Sequence, residues 1–114
     1  MKATFVEMST FEKHRAEYLN DTEYQSLQEE LLSNPQKGAT ISGTGGLRKI
    51  RWSDPGRNKG KRGGTRIIYY IYDEGDQFWM FLIYDKDQLT DLTSQQKKAF
   101  RQALNIEIQA RKRS

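Results

Sequence analysis

Arg66-Ile67-Ile68-Tyr69-Tyr70-Ile71-Tyr72, followed after the turn Asp73-Glu74-Gly75-Asp76 by a second run from Phe78 to Tyr84, decides the fold class. Both runs place β-branched and aromatic side chains at successive positions, so each has two apolar faces. That is the pattern of central strands covered by other elements on both sides. Neighbouring segments must supply the cover.

Downstream, Thr93 and Gln96 have the spacing of a capping box, and Ala99, Phe100, Ala103, Leu104 and Ile108 give the following helix an apolar stripe. The tail Arg111-Lys112-Arg113 is polar and reads as frayed. Upstream, Leu47 to Trp52 alternates, which puts Ile50 and Trp52 on one face and Lys49 and Arg51 on the other. The glycine-rich stretch Ser42 to Gly46 leads into it as a turn, and Asp54 to Gly64 reads as a loop between hairpin strands. Ala3 to Met8 reads as a first strand. Ser9 with Glu12 has capping-box spacing for a helix carrying Phe11, His14, Tyr18 and Leu19 on one face. A second helix starts near Asp21, repeats Tyr24, Leu27 and Leu31, and stops at Asn34-Pro35. The order β-α-α-β-β-β-α predicts an α+β domain over residues 1–114. A twisted, mainly antiparallel four-stranded sheet carries an N-terminal helical hairpin on one face and is completed by a C-terminal helix.

Composition narrows the chemistry. The 114 residues include no cysteine and one histidine, which excludes disulfides, thiolate metal sites and histidine-based zinc sites. Asp85, Asp87 and Asp91 lack a second acidic cluster on a predicted neighbouring strand, so neither metal nor cofactor is expected. Gly56 to Arg62 falls one residue short of phosphate-loop spacing and has Arg62 where magnesium binding needs Ser or Thr, and no dinucleotide-binding glycine pattern opens a βαβ unit. No segment approaches the ~18 apolar residues of a membrane span, and no signal-peptide apolar region follows Met1. These features lead to the expectation of a cytoplasmic protein without a membrane partner.

Charge is concentrated. Residues 44–70 hold eight Lys/Arg against Asp54, a balance of +7, within a chain whose net charge is +4. Lys49 and Arg51 on one strand face, with Arg66 opening the next strand, would build a cationic surface across a hairpin. Arg48 and the loop cations Arg57, Lys59, Lys61 and Arg62 would extend it. Such a surface suits a phosphodiester backbone, which Arg and Lys neutralise. Tyr84 at the end of the last strand is a candidate for proton transfer or base stacking, and Lys86 for holding or protonating a phosphate oxygen. His14, among apolar neighbours, receives no role.

The block Ile41-Ser42-Gly43-Thr44-Gly45-Gly46-Leu47-Arg48-Lys49-Ile50-Arg51, with Gly60-Lys61-Arg62-Gly63-Gly64-Thr65-Arg66-Ile67-Ile68-Tyr69-Tyr70, resembles the core block of RelE-superfamily toxins, and their HigB branch in particular. The resemblance covers nearly the whole chain, and the element order also matches a RelE-like fold. It implies a ribosome-dependent endoribonuclease (mRNA interferase) that cleaves mRNA in the A site. It also implies a cognate antitoxin, HigA-like and DNA-binding, through which alone operator DNA would be met. The family's two basic second-strand positions fall on Lys49 and Arg51, its third-strand arginine on Arg66, and its basic residue after the fourth strand on Lys86. RelE follows that lysine with an arginine and uses a tyrosine in its last segment, where this chain has Asp87 and Thr93. Tyr84 is the substitute read from this chain itself.

In that reading the ribose 2′-hydroxyl attacks its own 3′-phosphate. Arg51 and Arg66 offset transition-state charge, Lys49 or Tyr84 handles the hydroxyl, and Lys86 serves the leaving 5′-oxygen. The same basic sheet would also serve a non-catalytic nucleic-acid-binding module or an inactive toxin-fold interaction protein.

Overall fold

The computed structural model describes residues 3–52, 64–72, 76–86 and 92–112. Its strands are β1 (Thr4–Glu7), β2 (Ala39–Thr40), β3 (Arg48–Trp52), β4 (Thr65–Tyr72) and β5 (Gln77–Asp85), and its helices are α1 (Ser9–Tyr18), α2 (Asp21–Ser33) and α3 (Ser94–Lys112). The strands form one sheet in the order β1-β5-β4-β3-β2. The apolar runs that opened the sequence analysis are its central antiparallel pair β4–β5.

The sheet is mainly antiparallel as expected, with three of its four pairings so, but two features correct the four-stranded expectation. β1 pairs with β5 in parallel, Phe5 beside Phe78, because the whole chain between them serves as the crossover that a parallel pair needs. A fifth strand, β2, adds two exposed residues to the outer edge of β3, too short a segment to show any alternation.

Each face of the sheet has its own core. On one side Phe11, Leu19, Tyr24, Leu27 and Leu31 of the helical hairpin meet Ile50, Trp52, Ile67, Tyr69, Phe78, Met80 and Ile83. On the other, Leu104 of α3, with Phe100 and Ile108 partly buried beside it, meets Leu47, Ile68, Trp79, Phe81 and Tyr84. Ala99 and Ala103, expected in the buried stripe of α3, are exposed. Burying one such large side chain contributes about 1.5–3 kcal/mol, so the two layers carry most of the stability.

The parity of β5 changes part-way. Ile68 pairs with Leu82 but Tyr69 with Met80, which leaves Phe81 as a bulge. Phe78 and Met80 point to the hairpin side before it, as does Ile83 after it, and Tyr84 therefore lands on the α3 side.

The helix ends also depart from expectation in part. Met8, not Ser9, is the N-cap of α1 and has no side-chain oxygen to cap with, while its N–H bonds the Met80 carbonyl at 2.9 Å and so extends the β1 pairing. The capping box lies instead on α2, where Asn20 and Glu23 exchange bonds of 2.8 Å. Arg15 locks the turn between the helices, bonding the Leu19 carbonyl and Asp21 at 3.0 Å each and lying 5.0 Å over the Tyr24 ring. Thr93 and Gln96 form the expected box on α3 at 2.8 and 3.1 Å. Arg111 and Lys112 are not frayed but helical, with the Arg111 guanidinium 4.6 Å over the Trp79 ring.

Tyr69 ties the α2–β2 connection to the sheet. Its buried hydroxyl donates to the Pro35 carbonyl at 2.7 Å and accepts from the Gly38 N–H at 2.9 Å. A Cβ on Gly38 would stand 2.8 Å from the Tyr69 ring, so only glycine fits there.

Asn20→Ala is expected to lower stability by about 1 kcal/mol, whereas Ser9→Ala should change it by less than about 0.5 kcal/mol, measured by urea unfolding. Burial raises the hydroxyl pKa of Tyr69, a shift opposed by the Gly38 N–H and the Arg48 charge. The folded state therefore holds a proton that the unfolded chain releases near pH 10, so this contribution is complete below about pH 10 and declines above it. Tyr69→Phe should flatten the alkaline fall of the urea midpoint while costing about 1–3 kcal/mol at neutral pH from the stranded Gly38 N–H.

Candidate nucleic-acid interface

Strand alternation and register together assemble a cationic row. Ile50 and Trp52 belong to the hairpin-side core and Leu47 to the α3-side core, so Lys49 and Arg51 face the α3 side. Arg51 is directly opposite Arg66, and Arg66 is directly opposite Tyr84. Three strands thus present Arg51, Arg66 and Tyr84 side by side across about 10 Å at usual strand spacing. Two residues back along β3, Lys49 lies in the next rung with Ile68 and Leu82. That apolar floor is invisible in the sequence because only register makes those three residues neighbours.

Lys86 reaches the same end of the sheet, its N–H bonding the Gly64 carbonyl at 2.6 Å. Arg51 is exposed, Lys49, Arg66 and Lys86 are half-buried, and Tyr84 is 6% exposed within the α3-side core. The Tyr84 ring is therefore a packing element at the end of the cationic row. Arg51 and Arg66 stand directly opposite one another in the β3–β4 register, so the row groups positive charge that suits an anion.

The structure does not bring Arg48 to this row. Its alternation places it with Tyr69 on the hairpin side, and its Nη1 donates to the Gly38 carbonyl at 2.7 Å and, at 3.4 Å, to that of Gln36. Arg57, Lys59, Lys61 and Arg62 lie outside the described residues, as do Asp87, Asp91 and most of the Asp54–Gly64 segment. His14 contacts Glu17 at 3.1 Å on the surface of α1. Among the described residues, no three His, Cys, Asp or Glu side chains are grouped to hold a metal ion, and no helix is long and apolar enough to cross a membrane.

No protein-family description matches the chain. Among solved structures, a double arginine-to-alanine mutant of the E. coli toxin RelE in the free state superposes with a TM-score of 0.51 at 18% identity, covering 79% of this chain and 90% of that one. The same mutant toxin in complex with an antitoxin RelBc peptide gives 0.50 at 18% identity, covering 79% and 92%. This chain has the RelE toxin fold. At such identity the likeness concerns the fold alone, which is the α+β architecture of three helices on a five-stranded mixed sheet found here. In this RelE-like sheet, the Arg51-Arg66-Tyr84 row crosses the three inner strands.

Because Arg51 is exposed and opposed by Arg66, Arg51→Ala should leave the urea midpoint unchanged or raise it, by up to about 1 kcal/mol at low salt. A loss exceeding about 1 kcal/mol would show that Arg51 supports the fold rather than a ligand.

Proposed function

We propose that this protein is the toxin of a type II toxin–antitoxin module, of the HigB kind, and that it cleaves mRNA in the ribosomal A site. The observation that carries this reading is the Arg51-Arg66-Tyr84 row, with Lys49 beside it, on one face of a RelE-like sheet.

The proposed reaction is internal transesterification. The ribose 2′-oxygen attacks the adjacent phosphorus, the bond to the 5′-oxygen breaks, and the products carry a 2′,3′-cyclic phosphate and a 5′-hydroxyl. One proton must leave the 2′-hydroxyl and one must reach the 5′-oxygen. Arg51 and Arg66, directly opposite in register, would grip one phosphate and offset the charge that grows on its oxygens, each interaction worth roughly 10²–10³ in rate. Lys49 is more accessible than Tyr84 and, as the neutral amine, takes the 2′-hydroxyl proton in this reading to become the ammonium, while Tyr84 supports the Arg66 backbone from β5. Lys86, at the same end of the sheet, delivers the proton to the leaving oxygen. The chemistry requires no metal, since fixed guanidinium groups supply the positive charge.

A cationic RNA site in a cell requires control, and the proposed partner is a HigA-like antitoxin that binds operator DNA and brings the toxin to it. The solved complex of the RelE double mutant with a peptide of its antitoxin supports an antitoxin partner by analogy of fold.

Expression of the chain alone should arrest growth. Arg51→Ala with Arg66→Ala should relieve the arrest with an unchanged circular-dichroism spectrum, and should abolish cutting of ribosome-bound mRNA. Cutting by the unaltered protein should persist in EDTA once ribosome integrity is controlled. Undiminished toxicity of the double variant would overturn the site, and a tolerated, non-cutting unaltered protein would favour a plain binding module.

A further inference from the structure

The helix α3 carries five Lys/Arg against Glu107 alone, and three of them, Lys97, Lys98 and Arg101, fall in its first half. Their surroundings within the helix are uniformly unfavourable. Lys97 and Arg101 are four residues apart and Lys98 and Arg101 three apart, so like charges adjoin, at a cost of about 0.2–0.5 kcal/mol per pair. The first turn of α3 has no acidic residue. Among the described residues no side chain forms an ion pair or hydrogen bond with Lys97, Lys98 or Arg101. A protein gains nothing for its own stability by this grouping, whereas a polyanion would reverse its sign.

Two of these cations have stems that lie beside the glycine turn. The Lys97 stem passes 3.7 Å from where a Gly43 Cβ would stand, and the Arg101 stem 3.9 Å from that of Gly45. Both glycines adopt left-handed backbone, with φ of 82° and 85°, so the stems lie on a side-chain-free turn. That turn is rigid. The Ile41 N–H bonds the Leu47 carbonyl at 2.8 Å, and the fully buried Thr44 hydroxyl donates to the Ile41 carbonyl at 2.7 Å and accepts from the Leu47 N–H at 3.2 Å.

The turn runs directly into β3. From Leu47, beside the turn, to Arg51 is about 13 Å at the usual rise per residue. Along that line Lys49 and then Arg51 face the α3 side. Cations therefore recur from the glycine turn to the Arg51-Arg66 pair, at intervals that suit successive phosphates of an extended strand.

We propose that Lys97 and Arg101, with Lys98 beside them, form a second phosphate-binding surface that holds single-stranded RNA next to the cleavage row. The proposal deepens the reading of the α3-side face as an RNA site and rests on it. The ligand is the sugar–phosphate backbone, since Lys97, Lys98 and Arg101 supply the charge that phosphates require.

The test measures equilibrium binding of a fluorescein-labelled oligouridylate to the full chain from about 50 to 500 mM salt, a range that shortens the screening length severalfold. Lys97→Gln with Arg101→Gln, verified as folded by circular dichroism, should bind more weakly. It should also reduce the slope of log affinity against log salt by about 1.4, or ~0.7 for each lost contact to a single strand. An unchanged slope in a folded variant overturns the inference even where the unaltered protein still cuts mRNA. A reduced slope without any cutting by the unaltered protein would uphold the surface and remove the nuclease reading. Competition by polyglutamate as effective as by RNA at equal charge would assign the patch to acidic protein, and absence of oligouridylate binding by the unaltered chain would also overturn it.

Discussion

The pairing of β4 with β5 is the constraint on which the rest of the molecule depends. These two strands are apolar on both faces, so neither can remain at a solvent surface, and each face recruits its own helical layer. The bulge at Phe81 then sets what the second half of β5 displays. Strict alternation from Phe78 would send Tyr84 into the hairpin-side core, while the extra residue turns it to the α3 side and aligns it with Arg66 and Arg51. A single unpaired residue in the ladder thus decides the composition of the proposed site.

The cationic face and the two cores are opposed in their energetics. Arg51 against Arg66, and Lys97 and Lys98 against Arg101, set like charges at neighbouring positions in the sheet and in the helix. The offset comes from apolar burial elsewhere, with Leu27, Leu31, Ile67, Ile68, Trp79 and Leu104 essentially inaccessible to water. Grouped cations of this kind are what the proposed anionic ligand would require.

Side-chain polar bonds do a different task, fixing connections rather than faces. Tyr69 anchors Pro35 and Gly38 from within the core, Arg48 completes that anchor from the strand edge, and Thr44 closes the glycine turn under α3. These three side chains fix the α2–β2 connection and the turn that leads into β3, so the positions of Lys49 and Arg51 depend on groups outside the proposed row. Arg48 is instructive here, because proximity in sequence to Lys49 and Arg51 grouped it with them, whereas a strand sends adjacent residues to opposite faces.

Much of the fold was legible in local patterns. The order of the long elements, the burial of Tyr24, Leu27 and Leu31, the division of Ile50 and Trp52 from Lys49 and Arg51, and the Thr93-Gln96 box all follow from periodicity and capping chemistry, which act within a few residues. The tertiary structure alone decided that β1 lies parallel to β5, that β2 exists, that Met8 rather than Ser9 caps α1, and that Arg111 settles on Trp79. It also decided that Arg51, Arg66 and Tyr84 form one row. Each of these rests on which distant segments become neighbours, and register between strands is set by bulges, turns and packing that leave no periodic trace in the chain.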